Sequence, residues 1–197
     1  MKSIIKSCSA LVITVASLLC LPAYGQLTQT EVQKLLASDK ASGEYFGRSV
    51  AIDGDTALIG ASREDDSGTY NNGAAYVFTR SGGSWSEQAK LLASDKASGD
   101  YFGYSVAIDG DTALIGASGE DDSGTSQNGA AYVFTRSSGS WSEQAKLLAS
   151  DKASGEYFGN SVAIDGDTAL IGASGEDDSG TYNNGAAYVF TRSGGSW

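Results

Sequence analysis

The sequence predicts an all-β protein, a β-propeller of four-stranded antiparallel blades, and three observations carry that prediction. The segment KLLASDKASG opens at Lys34, Lys90 and Lys146, so the chain repeats every 56 residues, close to a propeller blade and outside the usual helical-hairpin range. Within each copy, short apolar runs are broken by Gly, Ser, Asp and Asn, with one proline in the whole chain and no sustained helical periodicity. The first two runs of each copy are apolar on both faces and the fourth is more polar, as inner and rim strands of stacked sheets are. A stacked β-solenoid is the structural alternative, but its coils are usually much shorter than 56 residues.

The N-terminus comes first. Residues 1–25 read as an export signal: Lys2 and Lys6, then the apolar run 10–21, then small residues in Ala23-Tyr24-Gly25 at the cleavage positions. A run of twelve residues is too short to span a bilayer. Cleavage after Gly25 is expected, which places the mature chain in the periplasm, on the cell surface or in the medium. The alternative is a lipoprotein signal ending at Cys20, against which stand Leu19 at a position that favours a small residue and the continuing apolar Leu21. Both cysteines, Cys8 and Cys20, fall inside this segment, so the mature chain has no disulfide and depends on core packing.

Removing Lys2 and Lys6 leaves 24 acidic against 11 basic residues, a net charge of −13. Such a surface repels nucleic acid and anionic membranes and favours solubility.

Within the first copy, residues 49–53 (SVAID) and 56–62 (TALIGAS) flank a two-residue bend and form an antiparallel hairpin. With Gly54-Asp55 as the bend, Asp53 faces Thr56, Ile52 faces Ala57 and Val50 faces Ile59, so polar meets polar and apolar meets apolar. Residues 74–80 (AAYVFTR) form the third strand after a polar loop. The turn SGGS then leads into a fourth strand at 85–93 (WSEQAKLLA). The blades are thus 34–89, 90–145 and 146–197. Residues 31–37 (EVQKLLA) repeat the fourth-strand sequence and are expected to complete the last blade, locking the ring and removing two sheet edges. Three blades fall below the usual minimum of four. The expectation is a piece of a longer array; two chains pairing into a larger ring, or an open arc, are the alternatives.

Phe46-Gly47 before the first strand and Gly60-Ala61-Ser62 at the end of the second recur in all three copies at one spacing. In these residues the repeat resembles the FG-GAP repeat of integrin α-subunit propellers, and most closely its bacterial exported branch. The resemblance covers residues 30–197. It implies a propeller of four-stranded blades used for adhesion or for binding a protein or ligand, and no catalysis. Two departures stand out. Ser62, Ser118 and Ser174 replace the proline of the motif, and only Asp53-Gly54-Asp55 stands where calcium-binding members carry a longer acidic insertion.

Calcium needs six to eight oxygens, and Asp53 and Asp55 alone cannot supply them. The bend is therefore read as structure. The longer loop between second and third strands holds Glu64, Asp65 and Asp66, repeated as Glu120, Asp121, Asp122 and as Glu176, Asp177, Asp178. These are the weak calcium candidates, set against a plain solvated loop. Apart from calcium no cofactor is expected. The chain has no histidine, and its acids recur in near-identical settings, so neither a nucleophile–base pair nor two carboxylates of different character is available to an enzyme.

The first two copies differ at six positions, five of them on or beside the face that carries the loops after strands two and four. Recognition on scaffolds of this kind is carried by loops on a rigid core. The candidate ligand-binding residues are Arg48, Arg63, Tyr70, Asn71, Tyr104, Asn160 and Tyr182, for a protein or glycan ligand. The competing readings are a structural spacer in a larger surface protein and, behind it, a propeller glycosidase or lyase.

Overall fold

In the computed structural model the described residues are 30–122, 124–177 and 181–197, so the expected export signal lies outside them. Residues 30–32 belong to a separate N-terminal unit and carry no regular secondary structure; the fold described here is that of residues 33–197. It is all-β. Blade 1 holds β1 (Phe46–Asp53), β2 (Thr56–Ala61), β3 (Ala74–Ser81) and β4 (Ser84–Leu91). Blade 2 holds β5 (Phe102–Asp109), β6 (Thr112–Ala117), β7 (Ala130–Ser137) and β8 (Ser140–Leu147). Blade 3 holds β9 (Phe158–Asp165), β10 (Thr168–Ala173) and β11 (Ala186–Thr191). Every sheet is an antiparallel meander in chain order, and among the described residues the third has three strands.

The hairpin register is the one that side-chain matching predicts: Asp53 opposite Thr56, Ile52 opposite Ala57 and Val50 opposite Ile59. Gly54 has φ 53°, the left-handed backbone that the first position of this tight turn requires. At the other end, Phe46 pairs with Ala61 and Ser49 with Gly60, so Gly47 and Arg48 bulge out of the ladder.

Alternation along β2 sends Ala57, Ile59 and Ala61 into one cluster with Tyr76 and Phe78, and Leu58 into another shared with blade 2. The second cluster joins Leu58, Ala75 and Val77 to Phe102, Val106, Ala113 and Ile115. The same arrangement joins Leu114, Ala131 and Val133 to Phe158, Ala169 and Ile171. The core thus lies between blades, and each junction buries apolar side chains worth about 2 kcal/mol apiece.

The FG and GA residues meet at these junctions. A Cβ on Gly60 would lie 2.0 Å from the Gly103 carbonyl oxygen of the next blade, so no side chain fits there. The Phe102 N–H donates to the Asn72 carbonyl at 2.8 Å and the Ser49 hydroxyl to the Gly103 carbonyl at 2.9 Å. Phe102, fully buried, sets its ring edge-on to Tyr132 and Phe134. Gly116, Gly159, Ser105 and Phe158 repeat the arrangement at the second junction.

Two expectations need correction. Residues 31–37 form no strand, and residues 33–37 do not join the last sheet. Their neighbour is blade 1: the Gln33 amide exchanges two 2.8 Å hydrogen bonds with the Trp85 backbone, and Ser38 bonds the Glu87 carboxylate through N–H and hydroxyl. The physical reason is local: Ser94 docks on Glu143 in the same way, so the ASD segment binds the blade that follows it. This also draws the chain out of the first sheet at Leu91, before the expected Ala93. Second, burial does not fall steadily outward. It is greatest in the middle strands β2 and β3, whereas β1 leaves Val50 and Ile52 exposed because, among the described residues, no blade packs on that face.

Candidate functional site

The Asp-Gly-Asp bend is a fastening. Asp53 Oδ2 accepts the Gly110 N–H of the next blade at 2.8 Å, and Asp109 Oδ2 accepts the Gly166 N–H at 2.6 Å. Asp55 holds Arg80, whose Nε donates to its Oδ1 at 2.7 Å while the Arg80 N–H reaches its carbonyl. Both carboxylates face donors, and neither turns toward the other.

The long-loop acids also diverge. Glu64 turns inward, where Oε1 receives Lys90 Nζ at 2.6 Å. The same ammonium donates to Asp39 Oδ2 at 2.7 Å, and the Tyr76 hydroxyl to Asp39 Oδ1 at 2.8 Å. Asp65 accepts the Asn71 N–H at 2.6 Å, and Asp66 pairs with Lys96. Blade 2 repeats the set with Glu120 and Asp95 on Lys146, Asp121 on the Gln127 N–H, and Asp122 on Lys152. In blade 3, Glu176 is buried and Asp177 accepts the Asn183 N–H; Asp178 lies outside the described residues. Among the described residues no three acidic side chains gather where a metal ion could bridge them.

Burial is the leading influence on these groups. It pushes the Glu64 and Glu120 carboxyls above their ordinary range despite their lysines, and Oε2 of each is buried without a hydrogen-bond partner. Asp100, also buried, is pushed to about 6 by desolvation, with Glu120 and Asp95 adding to the rise and the Ala97 N–H opposing it. For Asp39 and Asp95 desolvation is outweighed by the lysine and tyrosine hydrogen bonds, and their carboxyls sit below the usual range. These clusters bridge loop, β4 and the preceding linker. Their glutamates are buried, while Asp39 and Asp95 are partly exposed.

Tyr70 and Tyr182 are exposed on the long loops, and Tyr45, Tyr101 and Tyr157 hold the left-handed backbone, φ 56° to 57°, that side chains other than glycine rarely take. The structure brings two of the candidate ligand residues, Arg48 and Tyr104, into contact across blades. The Arg48 guanidinium lies 4.3 Å over the Tyr104 ring, on successive blades, and Arg63 lies 4.9 Å over Tyr45. Tyr70 and Asn71 share the loop that receives Ser98 and Gly99 from the next linker. Asn160 instead lines a groove on blade 3 with Ser161 and Gly172, and Tyr182 belongs to the third loop. Tyr45, which its place in the aromatic set would assign to the blade core, is half-exposed instead. Its signal is the residue before Phe-Gly being tyrosine in every copy.

The sequence pattern of the FG-GAP repeat matches residues 29–78, 85–134 and 141–190. Each match runs from the fourth strand, or its N-terminal counterpart, through the third strand of the following blade, the same shifted unit that the junctions define. No curated protein matches the chain. No helix among the described residues is long and apolar enough to cross a membrane. With glycine-gated junctions at Phe102-Gly103 and Phe158-Gly159 and the pattern matched in all three blades, this chain belongs to the FG-GAP repeat family.

Proposed function

We propose that this chain is an exported, non-catalytic binding propeller that recognises a protein or glycan through its long-loop face. One observation carries the reading: the copies are identical at the junction residues and differ mainly on the loop face, where Arg48 stacks on Tyr104 and Tyr70 and Tyr182 are exposed. Tyrosine and arginine are the residues that supply most binding energy at recognition surfaces. Export rests on the sequence pattern of residues 1–25. The acidic surface argues against nucleic acid as the partner.

Asp100 and Glu120, the blade 2 carboxyls that burial raises, are buried. Calcium takes no part in this reading, since the loop acids already hold lysines and backbone N–H groups. Millimolar calcium leaves the melting temperature unchanged; a rise of several degrees would restore the loop as a metal site. The binding reading is tested by glycan-array and pull-down profiling of the wild type beside a triple variant, Arg48→Ala, Tyr70→Ala and Tyr104→Ala. Selective binding that the variant loses at unchanged melting temperature supports it. No selective binding by the wild type favours the structural-spacer reading.

A further inference from the structure

Blades 1 and 3 each present an uncovered face, and the two faces are complementary. On blade 3, Leu170 is 44% and Val189 65% exposed, whereas Leu58, Leu114, Val77 and Val133 at the same positions are 0% exposed. Beside them lies a groove of about 440 Å³ lined by Ser161, Gly172, Gly185 and Ala187. The glycines at the same positions in the other blades, Gly60 with Gly73 and Gly116 with Gly129, are in contact with Phe102-Gly103 and Phe158-Gly159 of the following blade. The groove is the socket for one more Phe-Gly.

The matching plug stands on blade 1. Val50 is 68% and Ile52 66% exposed, while their counterparts Val106, Ile108, Val162 and Ile164 pack into the junction cores. Phe46-Gly47 repeats the residues that fill the two occupied sockets.

A third match is electrostatic. Lys90 and Lys146 pair opposite Tyr76 and Tyr132 and insert Nζ between two acids. In blade 3 a cavity of about 290 Å³ lined by Asp151, Glu176 and Tyr188 lies at the equivalent place. The residue that repeats Lys90 in the N-terminal segment is Lys34, exposed and in no ion pair among the described residues. Its segment docks on blade 1 through Ser38 and Glu87 as β4 and its linker dock on blade 2 through Ser94 and Glu143. It thus stands where the fourth strand of a preceding blade belongs.

We propose that two copies of this chain associate head to tail, blade 1 of each plugging blade 3 of the other, with Lys34 of one copy entering the Asp151 cavity of its partner. Two equivalent junctions then close the pair, and six blades come together, within the range that propellers use. The association is independent of any ligand on the loop face.

Light scattering on the purified chain tests this. The wild type gives the mass of two chains. Leu170→Asp, which spoils the socket, and Val50→Asp, which spoils the plug, each give one chain with an unchanged strand signal in circular dichroism, because both side chains are exposed in the single chain. Mixed in equal amounts, the two variants return to two chains through the one junction still intact. Lys34→Glu weakens association at least tenfold, and Asp151→Lys in the same chain recovers part of it. A one-chain mass for the wild type throughout the micromolar range overturns the proposal, as does a two-chain mass in both aspartate variants or a mixture that stays single. A mass that keeps rising with concentration overturns the closed pair.

Discussion

Blades 2 and 3 carry nearly the same sequence and live in different surroundings. Leu114 and Val133 are sealed between blades, while their repeats Leu170 and Val189 face outward. Gly116 is pressed against a backbone carbonyl of blade 3, while Gly172 borders an open groove. The residue does not decide its burial; its place in the stack does. Stability in such a chain is a sum of blade terms and junction terms, and identical substitutions read out the junction alone.

That contrast can be broken or sharpened by paired substitutions in the Val50→Asp background, which keeps the chain single. The largest difference is expected for Gly116→Ala against Gly172→Ala. A Cβ at Gly116 lies 1.9 Å from the Gly159 oxygen, a backbone atom, and forces the junction apart at a cost above about 3 kcal/mol. At Gly172 the nearest atom is the Ser161 hydroxyl, which rotates away, and the cost stays below about 1 kcal/mol. Urea unfolding compares them. Equal costs would mean that the second junction contributes nothing.

Next comes Leu114→Ala, at about 3 kcal/mol, against Leu170→Ala, at under about 1 kcal/mol, by the same measurement. Smaller still is the turn fastening: Asp109→Ala loses a bond to the Gly166 N–H and about 1 kcal/mol, while Asp165→Ala in blade 3 is neutral.

The smallest effect depends on pH. Asp100 in blade 2 stands where blade 3 has Glu156, and its folded-state value of about 6 exceeds the ordinary 3.8. The native state holds the proton more tightly, so this group favours folding below about pH 4 and loses that contribution as pH rises toward 6. Asp100→Asn should therefore match the wild type near pH 4 and melt a few degrees higher above pH 6. A difference that shrinks as pH rises would contradict the burial of this carboxyl.

Much of this fold was legible in the sequence because its determinants are short-ranged. The Gly54 turn sets the hairpin register within eight residues, and alternation in TALIGA assigns both faces of β2. The burial of β1 was not, since Val50 and Val106 have the same neighbours in the chain and differ in whether a blade precedes them. The loop acids were misleading for a similar reason. Glu64, Asp65 and Asp66 read as a row of oxygen donors, but Lys90 reaches Glu64 from 26 residues away and Lys96 reaches Asp66 from 30. The stacking of Arg48 on Tyr104 likewise joins residues of two copies and needs the blades assembled before it exists.

The linker KLLASDK serves two blades at once: Lys90 neutralises Glu64 of the sheet behind it, while Ser94 and Asp95 bind Glu143 and Tyr132 of the sheet ahead. Any 56-residue cut through this pattern, whatever its starting point, contains the residues of one plug, one socket and one linker, whole or divided between its two ends. Duplicating or deleting such a stretch in the gene therefore adds or removes a blade without creating a mismatched junction. Copies can multiply by simple recombination, with no repair substitutions needed at the seams, and the near-identity of the three repeats is the mark such growth leaves.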